Sequence, residues 1–293
     1  MVIDQRLREY LEYIGLAKNF SPLTLRTYSH VLGRFCSRFT TREVAAIPFY
    51  EVEDWMLYQA EEPSAKGKPK SPSTINTERA IVRGFLRYCR TSGDDMKFDP
   101  AMLANMKVRI KRKKALTPEQ IIYAVRSIPY DKLRLCTLVM FYAGLRVGEV
   151  IKLRPRHVYG NQLLIEDSKS QEPRPAFIPP ELAKELHLYI DLNRITEGRI
   201  FDYGTQIKSL HYERYSTGGV RKQMQKFFAK AGIEATPHDL RHAFATMLHK
   251  NGADIFTIKE FLGHSDVRTT QGYIHMDDQD MASKHAALVT IKY

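Results

Sequence analysis

Pro237-His-Asp-Leu-Arg-His-Ala243, with Leu262-Gly-His-Ser-Asp-Val-Arg-Thr-Thr-Gln-Gly-Tyr-Ile-His275 after it, is the stretch that decides how this chain is read. A helix starting at His238 would carry Arg241 one turn along the same face, with His242 at i+4. The His-x3-His spacing resembles the opening of a zinc-protease motif. However, Asp239 stands where that chemistry needs the longer glutamate, and Arg241 would set a cation beside the metal. A histidine and an arginine together suit an anion better, because a planar guanidinium grips two phosphate oxygens. Further on, Gly263 closes a helix, His264 sits at the turn, and Tyr273 follows nine residues later.

Upstream, Ala143-Gly-Leu-Arg-Val-Gly-Glu-Val150 reads as an apolar helix interrupted by Arg146, with Glu149 three residues on. An arginine in apolar surroundings needs a partner. The expectation is an Arg146–Glu149 ion pair at a helix start, with Glu149 orienting an arginine that points at something else.

Two arginines, two histidines and a tyrosine, in this order and local wording, resemble the tyrosine recombinase (phage integrase) family, in its Xer-like branch. GLRVGE is similar to the first arginine box, HDLRH to the His-x-x-Arg box, and LGHSDVRTTQGYIH to the Gly-His and nucleophile-tyrosine box. The resemblance implies that Tyr273 attacks a DNA phosphate to give a 3′-phosphotyrosyl link and a 5′-hydroxyl. Arg146 and Arg241 would hold the non-bridging oxygens. His238 would take the tyrosine proton or support the phosphate, and His264 would donate a hydrogen bond to it. The family's general acid is a lysine on a β-hairpin loop between the first arginine and the first histidine, which points to Lys169. The usual glycine-flanked loop is replaced here by Glu166-Asp-Ser-Lys-Ser-Gln-Glu-Pro-Arg174. No metal, nucleotide or other cofactor is implied, because the covalent link conserves the energy of the broken bond.

Working outward, the fold reads as mainly α with a small β-region: an N-terminal helical bundle and a C-terminal mixed α/β tyrosine-recombinase catalytic domain. Helices are expected from about Asp4 to Leu16, Ser21 to Phe39, Tyr50 to Ala60, and from Ser71 through Arg90. Ser21-Pro22 and Ser71-Pro72 each supply a cap and a first-turn proline. In the second half, Val158 to Asp167 alternates around Gly160-Asn161, and Ala176 to Ile178 is the returning strand. Helices follow near Pro180–Leu192, Gly219–Ala231, Asp239–Lys250, Asp254–Leu262 and Asp278–Leu288.

The 293 residues suffice for two domains. Between them lies Lys107-Val-Arg-Ile-Lys-Arg-Lys-Lys114, in which six of eight residues are basic. Their mutual repulsion should keep this segment extended. The expected division is 1–106 as a DNA-binding helical domain, 107–116 as a basic linker, and 117–293 as the catalytic domain with a C-terminal tail.

Net charge is +12, and residues 1–114 carry +8 of it, which suits a polyanionic partner. Candidate contacts to duplex DNA are Arg83, Arg87 and Arg90, which share one helix face, and Lys107, Arg109, Lys111, Arg112, Lys113 and Lys114 in the linker. Three dispersed cysteines give neither a paired disulfide set nor a zinc site. No apolar run approaches the ~20 residues of a membrane span, and a cytoplasmic protein is expected. The apolar tail residues Met281, Ala282, Ala286, Leu288, Val289 and Ile291 suggest exchange between protomers of a tetramer on DNA. The biological role expected is Xer-like chromosome dimer resolution or the integration and excision of a mobile element. The rivals are a type IB topoisomerase, a catalytically silent DNA-binding accessory factor, and a metal-dependent hydrolase.

Overall fold

The computed structural model describes residues 1–62, 67, 69–108, 114–166, 173–201 and 216–263. The chain divides into two compact units, Met1–Arg112 and Lys113–Tyr293.

Among its described residues the N-terminal unit has four α-helices: α1 (Ile3–Leu16), α2 (Pro22–Arg38), α3 (Phe49–Glu61) and α4 (Pro72–Thr91). The two long ones start by the same local rule. In Ser21-Pro-Leu-Thr24 and Ser71-Pro-Ser-Thr74, the serine Oγ accepts the backbone N–H of the threonine at 3.2 Å in both cases. A proline with its φ already near the helical value follows each serine. Apolar positions at helical spacing, among them Leu32, Phe35, Val52, Trp55, Met56, Val82 and Phe85, then close a core around Phe35. Trp55 and Phe39 both meet Phe35 edge-on, with ring centroids 5.1 Å apart.

The second unit begins its described helices with α5 (Pro118–Arg126), where Thr117 and Gln120 form the reciprocal capping box expected of Thr-Pro-Glu-Gln. The apolar α6 (Asp131–Tyr142) follows and is almost wholly buried. It does not run on to Arg146. Gly144, at φ +61°, turns the chain, and Arg146 is an extended residue capping the short α7 (Val147–Val150). Only glycine serves at 144, because a Cβ there would lie 2.6 Å from Phe244 Cε1, in addition to the left-handed φ.

Three antiparallel strands come next: β1 (Val158–Tyr159), β2 (Gln162–Ile165) and β3 (Arg174–Phe177), in the order β1-β2-β3. Val158, Leu163 and Ala176 stand in register on the buried face. The chain then forms α8 (Pro180–Leu192), α9 (Thr217–Lys230), α10 (Pro237–Lys250) and α11 (Ile255–Leu262). Helix α10 packs along α6, and its Leu240, Phe244 and Ala245 join the same core as Val139, Met140 and Phe141. The C-terminal helix expected near Asp278–Leu288 lies outside the described residues. No helix among the described residues is long and apolar enough to cross a membrane.

Candidate active site

Glu149 is the hub of the second unit. It is buried, and its Oε2 accepts the backbone N–H of Arg146 at 2.7 Å while Oε1 accepts Arg146 Nη1 at 2.8 Å. The cap expected from the spacing is therefore present twice over, through backbone and side chain. The Arg146 side chain stays 46% exposed, so its guanidinium is held from behind and open in front. Glu149 Oε2 also lies 3.5 Å from Arg174 Nη2 and 3.9 Å from Arg241 Nη1. Three guanidinium groups thus converge on one carboxylate.

Arg241 is reached through α10. Thr236 caps that helix: its Oγ1 accepts the Asp239 N–H at 3.4 Å, and Asp239 Oδ2 takes the Thr236 N–H and Oγ1–H at 2.7 and 2.8 Å. Asp239 is therefore a capping residue. The cap fixes the rotation of the first turn, which carries His238 on its rim and Arg241 inward. Arg241 is 1% exposed. Its Nη1 donates to the Gly144 carbonyl at 2.6 Å and its Nη2 to the Leu262 carbonyl at 2.5 Å. One side chain thereby braces the turn before Arg146 and the end of α11.

His238 is open to solvent on one side. Packing of the protein around its ring, then the positive charge of Arg241, and to a lesser degree that of Arg146, hold its pKa below the usual 6.5, against an opposing pull from Asp239. The imidazole is neutral at pH 7 and able to accept a proton. Among the described residues no group of three or more His, Cys, Asp and Glu is placed to hold a metal ion.

The structure therefore brings together Arg146, Glu149, His238 and Arg241. Lys169, His264 and Tyr273 lie outside the described residues, although strands β2 and β3 are paired on either side of the connection that carries Lys169. Arg174 was legible only as a basic neighbour of that loop, and its contact with Glu149 joins positions 25 residues apart. In the N-terminal unit, Arg83 Nη1 donates to the Leu103 carbonyl at 2.7 Å, Arg90 pairs with Asp99 at 3.3 Å, and Arg87 is exposed. Lys107 and Lys114 are exposed, while Arg109, Lys111, Arg112 and Lys113 lie outside the described residues.

Residues 108–280 match the phage integrase family, and residues 7–93 match the N-terminal SAM-like domain of phage integrases. The chain belongs to the phage integrase family. Its members are tyrosine recombinases, site-specific DNA recombinases that act through a covalent tyrosine intermediate. The chain is 30% identical over 269 residues to the tyrosine recombinase XerA of Pyrococcus furiosus, covering 90% of this chain and 86% of that one. It is 26% identical over 294 residues to the tyrosine recombinase XerC of Lactobacillus delbrueckii subsp. bulgaricus, covering 94% and 96%. Its fold is similar to that of the Tn1549 transposon integrase in complex with transposon right end DNA, with a TM-score of 0.76 at 17% identity, covering 99% of this chain and all of that one. These matches support the Xer-like branch of the phage integrase family and the mainly helical, two-part architecture with its small sheet.

Proposed function

We propose that this phage integrase family member cuts and rejoins duplex DNA through Tyr273. The observation that carries the reading is the gathering of Arg146 and Arg241 around the buried Glu149, with a neutral His238 at the rim. Three guanidinium groups gathered on one carboxylate, with Arg146 open to solvent, meet the charge that builds on the non-bridging oxygens of a pentavalent phosphorus.

Tyr273 Oη attacks phosphorus and passes its proton to His238. The bond to the 5′-oxygen breaks, Lys169 protonates that oxygen, and a 3′-phosphotyrosyl link remains. His264 donates a hydrogen bond to the phosphate. Reversal by the 5′-hydroxyl of another strand restores the phosphodiester with no net consumption of bonds. Neither metal nor nucleotide enters any step.

DNA is held by both units. The N-terminal halves of α2 and α4 line one groove of about 540 Å³ with Arg26, Thr27, His30, Ser73, Thr74, Thr77 and Glu78, whose basic and hydroxyl side chains suit a phosphate backbone. The basic segment 107–116 and Arg83, Arg87 and Arg90 extend this contact, with Arg87 the most available of the three. Four protomers assemble on the DNA and exchange their C-terminal tails. Chromosome dimer resolution and the excision of a mobile element both use this chemistry, and a cytoplasmic location fits either.

The test is a nicked duplex that loses a short fragment on cleavage and so traps the covalent complex. Wild type and Tyr273→Phe are compared on a denaturing gel without metal. A shifted band in wild type alone is the expected result. Tight binding with no covalent band from either protein would instead make the chain an accessory DNA-binding factor.

A further inference from the structure

We propose that Arg174 is a positioning residue, which ties the root of the β2–β3 hairpin to Glu149 and to the end of α11. Arg174 opens β3 directly opposite Ile165, the last residue of β2. Its Nη1 donates to the Phe261 carbonyl at 3.1 Å, and its Nη2 lies 3.5 Å from Glu149 Oε2. The side chain is only 17% exposed.

A second contact reinforces the first. The Arg174 side chain occupies the space over Gly263, where a Cβ would fall 2.7 Å from Arg174 Cδ and 2.8 Å from Cζ. Gly263 is the left-handed cap of α11, at φ +63°. Glycine at 263 thus meets two demands, backbone conformation and room for the arginine, and an asparagine would satisfy only the first.

Arg146 is aimed by Glu149, and Glu149 by the groups on its two oxygens. Of these groups, Arg174 alone belongs to the hairpin. Its guanidinium therefore sets the carboxylate, and through it Arg146, relative to the hairpin that carries Lys169 and to the exit from α11 towards His264. This inference rests on the roles assigned above to Arg146 and Lys169. Arg174 itself touches no reacting atom.

Full-length Arg174→Met and Arg174→Lys are compared with wild type for DNA affinity, melting temperature and single-turnover covalent-complex formation at saturating protein. Misplacement of a catalytic group by about an ångström slows chemistry roughly 10²-fold. The Met variant is therefore expected to bind DNA normally and cleave about 10²-fold slower. The Lys variant keeps the charge and recovers part of the rate, which a role in packing alone would not produce. Cleavage by Arg174→Met at the wild-type rate overturns the proposal.

A melting cycle tests the contact without activity. Gly263→Ala should lower the melting temperature less in an Arg174→Ala background than in wild type, and equal losses overturn the bracing of Gly263. Absence of any covalent complex from wild type would instead overturn the recombinase reading, and the melting cycle would still decide whether Arg174 braces the end of α11.

Discussion

In the N-terminal unit, Asp94, Glu53 and Glu78 each hold one or two cations within the fold. Arg6 lies 2.6 Å from Asp94, Arg79 lies 2.7 Å from Glu53, and Glu78 takes Arg34 at 2.8 Å and Lys70 at 3.3 Å. In the second unit, Arg146, Arg174 and Arg241 share the single carboxylate of Glu149. Both arrangements bear the cost of removing charge from water, but they recover it differently. The sets of the N-terminal unit return it within the fold, where they join α1 to the loop after α4, α3 to α4, and α2 to α4. The cluster around Glu149 gathers three cations on one carboxylate and leaves the Arg146 side chain 46% exposed, and in the proposed reaction its charge acts on an anion brought from outside. On the proposed function, a third cation on the carboxylate and an open guanidinium separate the cluster that awaits a substrate from the sets that hold the fold.

The strongest way to break this contrast is Arg146→Ala. The side chain is largely exposed, so its loss should leave the melting temperature nearly unchanged. Cleavage at saturating DNA should fall about 10²- to 10³-fold, the range found when one preorganised donor to a developing oxyanion is removed. A single-turnover assay on the nicked duplex measures it, and a loss of only a few-fold would mean that the cluster's charge does not serve the reaction.

Arg241→Met asks whether one arginine can belong to both classes. It leaves the carbonyls of Gly144 and Leu262 without their donor, at about 1–3 kcal/mol for each buried group left unpaired. Chemical denaturation of the full chain should show that loss, along with slow cleavage. Unchanged stability would place Arg241 wholly with the substrate-facing residues.

These two arginines also show what the sequence made legible. The spacing from Arg146 to Glu149 is local, so the ion pair and its place at a helix start could be read from one turn of chain. The Ser21-Pro22 and Ser71-Pro72 starts were legible for the same reason. The burial of Arg241 was not, because its two carbonyl partners lie 97 and 21 residues away. The end of α6 was misread because an apolar run from 135 to 145 suggests a continuous helix, whereas Gly144 turns the chain at φ +61°. Arg83 and Arg90 looked like a stripe along one face of α4, and so they are. Their partners Leu103 and Asp99, however, lie in the segment that folds back after that helix.

Glu78→Gln tests the fold-holding side of the contrast. It leaves Arg34 and Lys70 without a carboxylate, but Arg34 is partly exposed, so water offsets much of the loss. About 1–2 kcal/mol of destabilisation is expected. Denaturation should show it while cleavage at saturating DNA keeps its rate. A large drop in that rate would show that the helix-joining sets also act on the chemistry.

The smallest effect is the most direct probe of the cluster's charge, because it reads that charge at a neighbour. His238 has its pKa held below 6.5 by burial and then by the positive charge of Arg241 and Arg146, against Asp239. In the proposed reaction its neutral form accepts the proton, so cleavage should hold constant through neutral pH and decline only as pH falls below 6.5. The unfolded chain binds this proton more tightly than the folded one. Stability is therefore unaffected above pH 6.5 and lost as pH falls from there towards the folded pKa. Replacing Arg146 with glutamine removes one of the two cations, so the His238 ring resonance followed by NMR should titrate at higher pH in Arg146→Gln than in wild type. Glu78→Gln should leave that titration where it is. If Arg146→Gln failed to move it, Glu149 would already be neutralising Arg146 as fully as Glu53 neutralises Arg79, and the distinction between the two units would collapse.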